Sequence, residues 1–344
     1  MPINPIVLMY TRMKNFYIPI TISNNQNIST SAPFQQLITI NPSLIGSNLF
    51  SSDLGNIRFY ADYAFTQPLY AWVESGNSNT STATNIWVKL PNGIPANSSI
   101  TIYMRLESVG TEYDGVYMGE APQLSSTYAQ FDNGANVFNF YDNFAGTTLS
   151  SKWVSGTNGG TATINNGLSL IVPATVGDYV YIASASKIAS QPIIVETYMN
   201  GNSLWLAGYR LGFGLVSSQT YLLPSGVSQD HVSWQGTELS PTEIVATCQI
   251  GTAYSIPTGV NPVDGNYHIW GLEWLSGIAG FWYDNYSAVT TITSDIPTDT
   301  TYLTLSYYAY ASLQGTPTAL KFLWTRTRAY PPNGVMPSIS VGII

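Results

Sequence analysis

The stretch TYLTLSYYAY, residues 301–310, reads in steps of two: Leu303 and Leu305 alternate with Thr304 and Ser306. Alternation of this kind, in a run rich in aromatic residues, marks a strand with one face on a core and the other on a polar surface. The same period runs through YIPITIS (17–23), SITIYMRL (99–106), DYVYIAS (178–184) and PIIVETYM (192–199). Turn formers separate the runs: NSNTSTATN, PNGIPANSS, SGTNGG, INNG and VDGN. No stretch carries apolar residues at helical spacing over three turns. Closely spaced strands of this kind build sandwiches or jelly rolls, and 344 residues suffice for two domains. The expected fold is all-β: two β-sandwich or jelly-roll domains in tandem with an N-terminal extension strand.

Composition points to the setting. Charged residues make up only 9% of the chain, against roughly a quarter in ordinary globular proteins. Ser, Thr, Asn, Gln, Gly and 24 Tyr supply the polar surface instead. With 19 acidic against 11 basic residues the chain is acidic, which argues against nucleic acid or anionic lipid as a partner. Few carboxylates also leave little to protonate in acid, so an extracellular, cell-surface and acid-tolerant protein is expected. An ordinary secreted β protein at neutral pH has the same composition. Cys248 is the single cysteine, so no internal disulfide forms, and it reads as a small buried hydrophobe. No apolar run reaches the roughly 18 residues of a membrane span, and no basic-led signal peptide stands at Met1. A secreted chain would have lost its signal or carried it upstream. The sequons at Asn27, Asn79, Asn97 and Asn285 make covalent N-glycans an expected modification.

Family resemblance covers most of the chain. YIPITISN (17–24), LITIN (37–41), GNIRFYAD (55–62), PLYAWVES (68–75), NIWVKLP (85–91) and SSITIYMRL (98–106) resemble, in order, the domain of unknown function DUF2341. VFNFYDNFAGTTLSSKW (137–153) and YHIWGLEWLSGIAGFWYDN (267–285) resemble the entry strand and Trp-rich hairpin of concanavalin A-like, laminin-G-like jelly rolls. LWTRTRAYPPNG (323–334) is similar to the segment that closes such a pairing. The implied organisation is an N-terminal extension at 1–13, a DUF2341-like sandwich at 14–120 and a linker at 121–136. A jelly roll at 137–330 and a C-terminal tail at 331–344 complete it.

Concanavalin A-like jelly rolls include glycosidases, which need two carboxylates flanking the scissile bond. No such pair is visible. Glu196 stands alone in PIIVETYM, Glu238 and Glu243 differ in strand parity, and Glu273 sits in GLEW. No catalytic residue and no enzyme activity are therefore expected. His231 and His268 lack a second ligand at metal spacing, and Asp142 and Asp284 read as turn residues, so no metal and no cofactor are expected. Trp270 and Trp274 share parity and read as core. Trp234, in the polar DHVSWQGTE, is expected to be exposed, and with Trp205 and Trp282 offers a platform for sugars. That is the alternative reading: a carbohydrate-binding or adhesion module for surface glycans.

Residues 1–13, MPINPIVLMYTRM, belong to neither resemblance. If extended, Ile6, Leu8 and Tyr10 point one way and Ile3, Val7 and Met9 the other, so both faces are apolar, as in a strand buried on both sides. Such a strand pairs either within its own chain or within the next subunit's sheet. The second route joins copies head to tail into a filament. A two-domain surface chain with this segment is similar to thread-type filaments of thermoacidophilic archaea. The leading expectation is thus a homopolymer assembled by donor-strand complementation.

Overall fold

The computed structural model describes residues 16–200, 209–222, 229–236, 244–260, 264–284, 286, 288–309 and 318–342. The structure is nearly all β, as the alternation predicts. The expected extension strand (Ile3, Ile6, Val7, Leu8, Met9, Tyr10) and the sequon residue Asn285 lie outside the described residues.

Two compact units emerge. Unit 1 comprises residues 1–139 and 328–344, and unit 2 residues 140–327. The chain thus leaves unit 1 after Asn139 and re-enters it at Arg328, with the jelly roll between.

Unit 1 holds two sheets. Its strands are β1 (Tyr17–Asn24), β2 (Phe34–Ile40), β3 (Ile57–Tyr60), β4 (Pro68–Leu69), β5 (Ala71–Ser75), β6 (Thr84–Leu90), β7 (Ser98–Leu106) and β8 (Met118–Glu120). The last strand of the chain, β24 (Ser338–Val341), joins them. One sheet has the order β24-β1-β7-β3-β4 and the other β2-β6-β5-β8. Period-two alternation sends Ile18, Ile20 and Ile22 of β1 and Ile102 and Met104 of β7 into the core, all almost wholly buried. The C-terminal residues are not a free tail. Ser338–Val341 pairs antiparallel with β1, from Ile20↔Val341 to Ser23↔Ser338. The segment expected as a linker also belongs to unit 1, where the Trp72 indole donates to Asp132 at 2.8 Å.

Unit 2 holds a seven-stranded and an eight-stranded sheet. Its strands begin with β9 (Phe140–Asp142), β10 (Trp153–Asn158), β11 (Thr161–Ile164), β12 (Leu168–Ile171), β13 (Tyr179–Ser184) and β14 (Ile193–Asn200). They continue with β15 (Tyr209–Val216), β16 (His231–Gly236), β17 (Ile244–Ile250), β18 (Thr252–Pro257) and β19 (Tyr267–Leu275). The remainder are β20 (Ile278–Tyr283), β21 (Ala288–Ile292), β22 (Tyr302–Ala309) and β23 (Leu320–Ala329), which runs on into unit 1. The sheet orders are β10-β13-β22-β15-β16-β17-β18 and β11-β12-β23-β14-β19-β20-β21, with β9 pairing off this path with β23 as the eighth strand of the second. Their facing sides make one core around Phe213, Trp234, Trp270, Trp274 and Phe281. Cys248 lies in it, its thiol pushed up by burial and then by Asp295, and so inert.

Candidate functional site: the tyrosine-lined face of the seven-stranded sheet

The register of the seven-stranded sheet sorts its side chains without ambiguity. Val180, Ile182, Leu303, Leu305, Phe213, Val232 and Trp234 face the core, so the residues between them face outward. One outward rung reads Tyr181–Ser306–Gly212–Gln235, and the next Ala183–Thr304–Gly214–Ser233–Thr247–Ser255. Tyr179 and Tyr308 pair on a third rung, and His231 with Gln249 on a fourth. The outward face is therefore a grid of hydroxyls, amides and one imidazole. It needs glycine at its centre: a Cβ on Gly214 would come within 2.4 Å of Ser233, and one on Gly212 within 1.9 Å of the Trp234 carbonyl.

This face is covered rather than open: His231, Ser233, Gln235, Thr247, Gln249, Thr304 and Ser306 are at most 2% accessible. Residues 217–222 cross it, with Thr304 Oγ1 donating to the Thr220 carbonyl at 2.8 Å and the Leu222 amide to Ser306 Oγ at 3.3 Å. Gln219 fastens the crossing by donating to the Ser184 and Ala185 carbonyls. The crossing carries Tyr221 onto the sheet tyrosines. Its ring stacks on Tyr179 at 4.3 Å and lies 5.2 Å from Tyr308 and 6.1 Å from Tyr181. All four rings are half-buried. Burial, then the neighbouring phenols, raise the Tyr221 hydroxyl above its ordinary value of 10.0, and burial followed by Tyr179 does the same for Tyr181. Both remain protonated donors. The arrangement combines a rigid aromatic surface with convergent polar tips.

Each residue named from sequence can now be placed. Trp234 is not exposed: strand alternation sends it inward, 1% accessible, with its indole donating to the Gly271 carbonyl at 2.7 Å. Its polar neighbours belong to the opposite face. Trp282 is also buried, because Gly271 lacks the side chain that would meet its ring. Trp205 lies outside the described residues. Trp234→Phe, which keeps the aromatic ring but not the donor, is expected to cost about 1–2 kcal/mol in denaturant unfolding while leaving any sugar binding intact. Of the sequons, Asn27 and Asn97 are exposed in turns, whereas the half-buried Asn79 donates its amide to the Ser47 carbonyl at 3.2 Å.

The charged residues read as isolated in sequence are paired in space. Glu196 and Arg326 form a fully buried ion pair, Nε to Oε2 2.5 Å. The β14–β19 register (Ile194↔Glu273, Glu196↔Gly271) also sets Glu273 diagonally across from Glu196 on the same sheet face. Asp142 is buried, accepting from the Phe144 amide and the Trp153 indole at 2.8 and 2.9 Å. His268 is held by two carboxylates, Nδ1 to Asp284 at 2.7 Å and Nε2 to Asp264 at 3.1 Å, and stacks on Tyr283. Two acceptors on the two ring nitrogens require the doubly protonated imidazolium. Asp264 is four residues away in sequence, but Asp284 comes from the end of β20, which spacing alone does not reveal.

Partial burial lowers the His268 pKa, but the two aspartates outweigh it and hold it above 6.5. Hydrogen bonds from Asn266 and then from His268 hold Asp264 well below its ordinary 3.8. The raised His268 value stabilises the fold fully below pH 6.5 and fades as pH rises through the folded value. The depressed Asp264 value contributes above about pH 4 and fades below it. The clamp therefore acts between. A proton-NMR titration should place His268 above 6.5, and Asp264→Asn should move it down.

Comparisons with known proteins follow from this geometry. A family model described as a domain of unknown function, DUF2341, matches residues 53–156. "Uncharacterized protein 562" of Sulfolobus islandicus rod-shaped virus 1 is 33% identical over 349 aligned positions, covering 93% of this chain and 58% of that protein. The chain thus spans somewhat more than half the length of this relative. Among solved structures, the endo-beta-1,3-glucanase of Pyrococcus furiosus is 14% identical, covers 56% of this chain and 94% of its own, and has a TM-score of 0.43. The Bacillus licheniformis beta-glucanase (13%, 55% and 97%, TM-score 0.42) and a Mycobacterium fortuitum glycosyl hydrolase family protein (16%, 55% and 99%, 0.42) are similar to the same extent. One expectation is corrected here: the sequence reading that the chain is no enzyme is withdrawn, since the similar structures include glucanases and glycosyl hydrolases.

Proposed function

We propose that the chain is an extracellular glycan-binding protein whose sugar site is the cluster of Tyr179, Tyr181, Tyr221 and Tyr308 on unit 2. The observation that carries this reading is the convergence of four half-buried tyrosine rings, with their hydroxyls, at one place on unit 2. Aromatic rings pack against the C–H faces of pyranoses, while the phenol hydroxyls meet the sugar hydroxyls. The net charge of −8 favours uncharged over anionic oligosaccharides. A glycan array probed with the full chain tests it: binding to neutral oligosaccharides is expected, and a blank array defeats the reading.

A second reading concerns self-association. Head-to-tail assembly through residues 3–10 is supported by an apolar groove of about 470 Å³ on unit 1, lined in part by Ile40, Leu44, Ile45 and Val341. The two readings are compatible, since they use different units.

A further inference from the structure

Unit 1 carries a cavity of about 270 Å³ apart from the apolar groove. It is lined by β3 and β4 and by the segment that joins β7 to β8. Alternation along β3 buries Phe59 and leaves Arg58 and Tyr60 half-buried on the outer face. Tyr60 and the exposed Tyr117 supply ring surface, and Arg58, Glu107, Thr111 and Asp114 supply the polar groups.

The polar groups divide into two sets. Arg58 is committed to the fold: its Nε lies 3.1 Å from Asp114, Nη1 donates to the Gly55 and Ile57 carbonyls at 2.7 and 2.6 Å, and Nη2 to the Glu112 carbonyl at 2.9 Å. The other Asp114 oxygen accepts from the Val116, Tyr117 and Met118 amides at 2.9, 2.8 and 2.9 Å. This pair fixes the rim. Glu107 is different. Arg105 Nε stands 3.4 Å from its carboxylate and makes no hydrogen bond, while the Arg105 guanidinium lies 5.3 Å from the Phe65 ring centre. Among the described residues no donor bonds to the Glu107 carboxylate, and the Thr111 hydroxyl and the Tyr60 and Tyr117 phenols have no hydrogen-bond partner. The cavity therefore sets unengaged acceptors beside two rings, with one net negative charge from Arg58 against Glu107 and Asp114.

That combination selects its ligand. An anion would meet Glu107 and find the Arg58 donors taken. A metal ion finds no group of three His, Cys, Asp or Glu among the described residues. An ammonium brings three donors and no acceptor, is balanced by Glu107 and is attracted to ring faces. The chain already makes such a contact nearby: Lys89 Nζ lies 5.9 Å from the Tyr70 ring centre, and Tyr70 stacks on Tyr117 at 5.1 Å. We propose that the cavity binds a primary alkylammonium group, with Glu107 as its counter-ion and Tyr60 and Tyr117 against its methylene stem. Its volume falls below the range of about 300–1,000 Å³ usual for whole small-molecule ligands, so it takes one amine end. A free polyamine and a lysine side chain carry the same end. The net charge of −8 draws either toward the chain.

An NMR titration of the full chain compares n-butylammonium chloride with butan-1-ol, its uncharged counterpart, and repeats the amine on Glu107→Gln and Tyr117→Leu. Expected is saturable amine binding at least about tenfold tighter than that of the alcohol, weakened about tenfold by Glu107→Gln, about fivefold by Tyr117→Leu, and further by added salt. Because the Glu107 carboxylate takes no hydrogen bond, Glu107→Gln should leave Tm unchanged, so its loss of binding reads the site and not the fold. Spermidine against Nα-acetyl-lysine amide separates the sources: tighter spermidine assigns the cavity to a free polyamine, tighter lysine amide to a protein side chain. Equal affinity for amine and alcohol, or no saturable amine binding, overturns the proposal. Amine binding that both variants leave unchanged also overturns it, because the amine then sits elsewhere on the acidic surface.

Discussion

Arg326→Met lowers the stability of the chain by about 3–5 kcal/mol, because it strands the Glu196 carboxylate in a fully buried site. For a unit of this size, that is a fall of about 6–20 °C in Tm. The guanidinium does more than neutralise: it stacks 4.6 Å over Trp324 and reaches the Tyr286 hydroxyl at 3.4 Å. Removing the charge while keeping an apolar side chain of similar length isolates the electrostatic loss from the packing. The companion double variant Glu196→Leu/Arg326→Met removes both charges, and buried pairs replaced in this way are neutral or better. It should recover most of the loss, to within about 1–2 kcal/mol of wild type. Thermal unfolding followed by circular dichroism decides the cycle. A single variant as stable as wild type, or a double variant worse than the single, would show that the pair does not govern this part of the fold.

The second large effect falls on binding. Tyr179→Ala/Tyr221→Ala removes the closest ring pair of the cluster, whose centroids lie 4.3 Å apart. Buried aromatic anchors typically contribute about 2 kcal/mol or more each to a binding site, so neutral-oligosaccharide affinity should fall roughly 100-fold or more. Because both rings are only half-buried, the fold should tolerate the change. Titration calorimetry with the strongest array ligand measures the fall, and near-wild-type Kd in a folded double variant would remove the cluster from the site. Tyr181→Phe and Tyr308→Phe separate stacking from hydrogen bonding, since they keep the rings and delete the hydroxyls.

Much of this was legible in the sequence and some was not, for physical reasons. Alternation in DYVYIAS placed Val180 and Ile182 opposite Tyr179 and Tyr181, and the structure keeps that division. The same rule, applied to DHVSWQG, would have sent Trp234 inward. Its polar neighbours suggested exposure instead, although on a strand a residue's neighbours occupy the other face. Tyr221 could not be assigned, because it reaches the site through a crossing segment fixed by Gln219 and Thr304, bonds between residues 34 to 84 apart in sequence. The Glu196–Arg326 pair spans 130 residues and the Asp284–His268 contact 16, so strand pairing had to be known first. The closing strand β24 was missed because SISV is short and lies beyond PPNG, which reads as an ending. Only its partner β1 makes it a strand.

A crystal structure of the full chain soaked with the strongest array ligand tests the central claim most directly. The account predicts a pyranose ring in van der Waals contact with Tyr179, Tyr221 or Tyr308, its hydroxyls bonded to the phenols. Unit 1 carries a competing aromatic surface, where Tyr17, the exposed Tyr63, Phe65 and Tyr103 cluster with centroids 5.2–6.5 Å apart. Sugar density on that surface, with the unit 2 tyrosines empty, would contradict the account.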